Sequence, residues 1–132
     1  MNYKSFFDPI TFTFSYVIFD ENSKKCAILD PVLDFDLKST KFSSKSADKI
    51  IKFITDEQFS LEWILESHIH ADHISAALYL KEKLGGKIAI SNKIKEVANF
   101  WAKKFDLKAD ISNFDYLFSS GEVFLIGNLK VK

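Results

Sequence analysis

The sequence contains no arginine: all 18 of its basic residues are lysines, matched by 18 acidic residues for a formal net charge of zero. Guanidinium is the planar fork that grips phosphates and carboxylates at two points. A chain without it, and without net positive charge, has no electrostatic footprint for nucleic acid or an anionic membrane surface. Cysteine is nearly absent too. Cys26 alone cannot make an internal disulfide, and its place in the apolar run "CAILD" marks it as a buried free thiol of a reducing compartment. No apolar run approaches the roughly 20 residues that span a bilayer, and "MNYKSFFDPI" lacks the continuous apolar core of a signal peptide. A soluble, cytoplasmic protein is expected. Histidine is scarce and unevenly spent: all three, His68, His70 and His73, fall in the stretch "ESHIHADH".

What is abundant is apolar surface. Hydrophobic residues make up 47% of the chain and aromatics 15%, with 14 phenylalanines, which excludes disorder and suits one domain. A domain of roughly 130 residues buries about two thirds of the surface its unfolded chain exposes.

The periodicities give an order of elements. Phe12, Phe14, Tyr16 and Ile18 alternate with Thr13 and Ser15, a strand pattern over 12–19, and after the polar turn "DENSKK" the run 26–29 forms a second strand ending at Asp30-Pro31. The two read as an antiparallel hairpin. Residues 33–46 have no clear period and read as a long loop. Ala47, Ile50, Ile51 and Ile54 fall on one face of a helix ending near Gln58, with Asp48 in its first turn. "LEWIL" (61–65) is a short strand buried on both faces. A helix is expected from Asp72 or His73, burying Ile74, Ala77 and Leu78 and stopping at Leu84 before Gly85-Gly86. "KIAI" is a further strand. Ser91 caps a third helix whose stripe Ile94, Val97, Ala98, Trp101 and Phe105 is assigned to core packing. "YLF", "EVFLI" and "LKVK" are three short strands near the end.

Strands alternating with helices predict α/β layers, a mixed sheet flanked by helices. The last strand runs to Lys132, so the layer is expected to be interrupted there.

The histidines follow the buried strand in extended chain, where side chains two apart point the same way, so His68 and His70 converge on one point. Asp72 and His73 lie just beyond, where a turn brings a carboxylate and a third imidazole towards it. This is metal-ligand spacing at the end of a sheet strand. It is not the helical H-E-x-x-H pattern, since position 71 is alanine, and Ser67 and Ser75 lack the glycines of a nucleophile elbow.

"SHIHADH" resembles the H-x-H-x-D-H signature of the metallo-β-lactamase fold. Together with "FFDPITFTFSYVIFD", "AILDPVLDFD" and "HIHADHISAALYLKEKLGGKIAIS", it is similar to the bacterial branch containing persulfide dioxygenases, cousins of glyoxalase II thioester hydrolases. The resemblance covers residues 1–132 and implies an αββα sandwich of two similar halves with the site at the seam, this chain matching the first half. It implies that His68 and His70 serve a first metal position. Asp72, also the catalytic carboxylate, and His73 serve a second in binuclear zinc hydrolases, whereas in mononuclear iron dioxygenases His68 is the ligand retained from this motif. Asp30 is either a partner supporting a ligand from behind or an ordinary strand-ending Asp-Pro.

One departure is large. Family members take further ligands from the second half, and no histidine follows His73, so at best two ligands per metal are present where a catalytic site needs three. A bare inner sheet face and an unpaired edge at "LKVK" then predict a homo-oligomer or pairing with a separately supplied second half. The expected activity is persulfide dioxygenation, on glutathione persulfide or a related small thiol-derived substrate, negligible in these residues alone. Thioester hydrolysis is the alternative, and a non-catalytic remnant or assembly subunit the third reading.

Overall fold

The computed structural model describes residues 2–132. Its first element, β1 (Asn2–Asp8), is a strand the sequence reading does not contain; it pairs antiparallel with β2 (Thr13–Asp20) along its whole length. The tip between them is closed by Asp8, whose carboxylate accepts the Thr11 amide and hydroxyl at 3.0 and 2.6 Å. Phe12 lies in this tip, exposed and with φ 59, so it does not begin the strand as its alternation suggests.

β2 pairs antiparallel with β3 (Lys25–Leu29), giving the expected hairpin with a connection of residues 21–24. The segment read as a loop then forms two strands, β4 (Val32–Asp36) and β5 (Lys41–Ser43). Asp34 and Asp36 look like turn residues, but Asp34 accepts the Ser46 amide and hydroxyl at 2.8 and 2.7 Å. It thereby caps α1 (Lys45–Asp56) from a neighbouring strand, satisfying an amide that the helix itself leaves free.

β6 (Ser60–Leu65) follows, then the histidine stretch, then β7 (Ile74–Ser75), which pairs with β4 and keeps the chain extended. For that reason α2 (Ala77–Leu84) begins four or five residues later than the sequence predicts, with Ser75 Oγ accepting the Ala77 amide at 3.0 Å. Leu80 is buried where Ile74 and Leu78 were expected; both of those are exposed. β8 (Lys87–Ser91), α3 (Ile94–Phe105), β9 (Tyr116–Phe118), β10 (Phe124–Ile126) and β11 (Leu129–Val131) complete the chain.

The main sheet is mixed, in the order β1-β2-β3-β6-β8-β9, antiparallel in its first three strands and parallel beyond. One face packs on α1 and α2: Val17, Cys26, Ile28, Ile64 and Ile88 meet Ala47, Ile50, Ile54, Ala77 and Leu80. Each fully buried isoleucine there contributes roughly 1.5–3 kcal/mol. Burial also pushes the Cys26 thiol up to about 12. The reactive thiolate is then scarce, so the folded protein is expected not to react with a disulfide dye near pH 8 and to release one thiol equivalent when denatured.

The opposite face carries no helix among the described residues. Register places Tyr3, Phe7, Phe14, Tyr16, Trp63 and Tyr116 there, in edge-to-face and tilted contacts. The β10–β11 hairpin covers one end, with Trp63 Nε1 donating to the Leu125 carbonyl at 2.9 Å. The stripe on α3 is not core: only Ile94 is buried, while Val97, Trp101 and Phe105 are exposed. Its N-cap is Lys93, Ser91 Oγ accepting the Lys93 amide at 3.3 Å.

The hairpin is tied back to the β2–β3 turn. Asp20 accepts the Ser23 hydroxyl and the Asn128 amide, which hold its carboxyl down to about 2, Ser23 contributing most. Gly127, at φ 57, passes so close that a Cβ would stand 1.9 Å from Ser23 Oγ. Gly127→Ala is therefore expected to weaken the tie by roughly 1–3 kcal/mol and speed amide exchange over residues 124–131, leaving β6 protected. Among the described residues no helix is long and apolar enough to cross a membrane.

Candidate metal centre

Three strand ends build the site. β3 stops at Asp30, whose φ of 50 is left-handed although proline follows; this strained bend swings its carboxylate across to the end of β6. There it accepts the Ser67 amide at 2.7 Å and the Ser67 hydroxyl at 2.8 Å, and it receives His70 Nε2 at 3.0 Å. Asp30 is thus more than a strand-ending Asp-Pro.

These bonds assign the imidazole tautomers. Because Ser67 Oγ gives its proton to Asp30, its lone pair faces His68 Nδ1 at 2.8 Å, which must donate. His68 Nε2 is left with its lone pair. His70 donates from Nε2 to Asp30, and its Nδ1 is buried with no hydrogen-bond partner among the described residues. His73 Nδ1 lies 3.3 Å from Asp72 Oδ2, and its Nε2 is likewise buried and unpartnered. Buried nitrogens without partners are rare, and two in adjacent rings are suited to serve as donors to a cation.

The rings crowd together, His68 to His70 at 4.3 Å and His70 to His73 at 4.0 Å between centroids. Ligand atoms of His68, His70 and Asp72 lie within 4.8 Å of one another. Burial, and then the His70 ring beside it, holds His73 below its ordinary value, so its imidazole is neutral near pH 7. Burial alone would raise the Asp72 carboxyl, but its own backbone amide and the His73 and His70 rings outweigh that and hold it low. With a neutral imidazole at His73, an ionised carboxylate at Asp72 and the two further rings of His68 and His70, the set has the donor chemistry of a zinc or iron site.

Two participants were missed from sequence. Glu66 is buried at the end of β6, its carboxyl pushed up to about 7 by burial, and it accepts the Ser75 hydroxyl. Its signal was legible: a lone acid between an apolar strand and the first histidine. The other is the segment 110–114, which brings Asp110, Asn113 and Phe114 to the wall of a cavity of about 470 Å³ shared with the three histidines. Ile69, Ile74 and Leu78 line the rest, which accounts for the exposure of the last two.

Comparison with known proteins identifies the family and the fold. The metallo-beta-lactamase superfamily matches residues 9–129. A beta-lactamase hydrolase-like protein of Agrobacterium fabrum is 46% identical over 98% of this chain, which spans 31% of that relative. The human mitochondrial persulfide dioxygenase ETHE1 is 28% identical over 63% of the chain, which spans 28% of it. The crystal structure of ETHE1 from Myxococcus xanthus superposes with a TM-score of 0.69 at 22% identity, over 98% of this chain and 46% of that one. The chain thus spans less than half the length of each.

Proposed function

Since this chain belongs to the metallo-β-lactamase superfamily, we propose that it is the ligand-bearing part of a persulfide dioxygenase using one iron and acting on glutathione persulfide or a related small persulfide. The observation that carries the reading is the gathering of His68, His70 and Asp72, with ligand atoms within 4.8 Å of one another, at a cavity that His73 also lines. Likeness to a human persulfide dioxygenase supports this reaction, and likeness to a hydroxyacylglutathione hydrolase of Pelagibacter ubique supports the second reading given below.

His68 is the first ligand, held through Ser67 by Asp30; His70, Asp72 and His73 stand around it. Iron, when bound, supplies the chemistry of O₂ that no side chain has. The protein's own part is orientation and exclusion. Asp30 fixes two rings at once, and Ile69, Leu78 and Phe114 keep water from the sulfur end of a substrate in the cavity. Asp72, with its side chain 45% exposed and its carboxyl held ionised, is the group that exchanges protons with solvent.

We assign the remaining ligands to protein beyond these residues or to a second copy, docking on the helix-free face. The aromatic layer there is half-exposed and has no other cover among the described residues.

The second reading, a binuclear thioester hydrolase of the glyoxalase II kind, is favoured by the presence of Asp72 and His73, which one iron does not need. The test is metal content and turnover of the protein purified anaerobically from its own host. One iron and O₂ uptake with glutathione persulfide, lost in His68→Ala, are expected. Two metals, with hydrolysis of a glutathione thioester and no O₂ uptake, reject the dioxygenase. Absence of both activities leaves an assembly subunit.

A further inference from the structure

We propose that Glu66 is a positioning residue: a second carboxylate that acts with Asp30 on His70 Nε2, holding the ring's proton there and leaving Nδ1 as the donor atom. The inference rests on the reading of His70 as a ligand, but not on which reaction follows.

Neutral imidazole has one N–H, and it must sit on Nε2 if Nδ1 is to face a cation. Asp30 Oδ1 lies 3.0 Å from Nε2 and forms the hydrogen bond. Glu66 Oε2 lies at the same 3.0 Å from that nitrogen, approaching from the interior. The two acids are not equivalent. Asp30 is divided among His70 and both donors of Ser67, and its side chain is 17% exposed. Glu66 is 5% exposed, and its oxygens are divided: Oε1 takes the Ser75 hydroxyl, and Oε2 lies against the His70 ring.

A purely structural Glu66 would need no second oxygen in that place. Linking β6 to the start of α2 takes a single acceptor for Ser75, which glutamine supplies equally well. Instead Oε2 is buried with no hydrogen-bond donor of its own among the described residues, an arrangement proteins ordinarily avoid. Its proximity to Nε2 gives that oxygen a purpose. Two carboxyl oxygens at 3.0 Å from Nε2, against Asp72 Oδ1 at 3.5 Å from Nδ1, favour the proton on Nε2; the alternative tautomer would place a lone pair against both. Ser75 completes the device, since its hydroxyl also accepts the Ala77 amide and so anchors Glu66 to the first turn of α2.

The test uses the metal-free chain labelled with ¹⁵N-histidine, in which long-range ¹H–¹⁵N spectra near pH 7 read each ring's tautomer directly. His70 is expected as the Nε2–H form in the native sequence. In Glu66→Gln, which keeps an acceptor for Ser75 but can turn an amide towards the ring, the Nδ1–H form should grow about 10-fold, with a matching fall in zinc affinity. Native protein with His70 as Nδ1–H overturns the proposal without recourse to any variant. So does a Glu66→Gln protein with native tautomer and zinc affinity, which would reduce Glu66 to a link between strand and helix. Zinc added to the native chain tests the ligand reading separately: a His70 Nδ1 resonance that does not move rejects coordination, whichever tautomer is present.

Discussion

His70→Ala is expected to lower affinity for zinc or iron by more than the roughly 10–100-fold that loss of a supporting partner produces, and to destabilise the fold at the same time. Both effects have one origin. The ring lies between the cavity and two carboxyls: on one side its Nδ1 makes no hydrogen bond among the described residues, with Asp72 Oδ1 3.5 Å away, and on the other Asp30 and Glu66 stand 3.0 Å from Nε2. Removing it takes away a metal donor and leaves two acidic groups facing each other across a buried gap. Loss of one member of such a buried network costs about 3–5 kcal/mol in general, and the partial exposure of Asp30 places this case towards the lower end. His68→Ala is the informative comparison, because His68 is exposed and its hydrogen bond is to Ser67 rather than to a buried carboxyl. It should lose metal affinity with little change in stability. Competition titration with a chromophoric chelator and urea unfolding separate the two quantities. A His70→Ala protein that binds zinc within 10-fold of native would mean that the cation is held by other groups.

Ile64→Ala is expected to destabilise the protein by about 2–5 kcal/mol, the cost of an emptied site in a core that cannot close around it. Ile64 has no exposed surface, pairs in register with Ile28 and Ile88 on neighbouring strands, and stands under α1 and α2. Domains are typically stable by only about 5–15 kcal/mol, and this one has a helix layer on a single face of its sheet, so the loss is a large fraction of the total. The urea midpoint should fall with the slope unchanged. A change of less than about 1 kcal/mol would mean that the core is loosely packed at its centre.

The sequence made the histidine cluster and the alternation of strand and helix legible because both are local. Residues two apart in extended chain share a side, and Ile50 and Ile54 mark a face whatever lies opposite. What it concealed depends on partners far along the chain. Asp34 and Asp36 read as loop residues, yet Asp34 caps a helix that starts 11 residues later in the chain. Ile74 and Ser75 are held extended by β4, so α2 could not start where its periodicity begins. The stripe on α3 shows the opposite limit: Val97, Trp101 and Phe105 define an apolar face correctly, but a helical period says nothing about whether anything covers it. In β2 the alternation marks a strand without saying which side is core: Ser15 and Val17 face the helices and Phe14 and Tyr16 line the bare face. Glu66 and Asp30 were separated by 36 positions and joined only by a shared nitrogen.

The bond between Asp20 and Asn128 closes a loop of 108 residues, the longest separation among the polar side-chain contacts of the described residues. Bringing such distant points together has an entropy penalty that grows with the logarithm of loop length, and it is favourable only after the strands between them have paired. The β10–β11 hairpin should therefore be the last element to dock during refolding and the first to leave during unfolding. Mutations at Asp20, Ser23 or Gly127 would then act almost wholly on the unfolding rate, whereas Ile28 and Ile64, on adjacent strands of the central sheet, would govern the rate of folding.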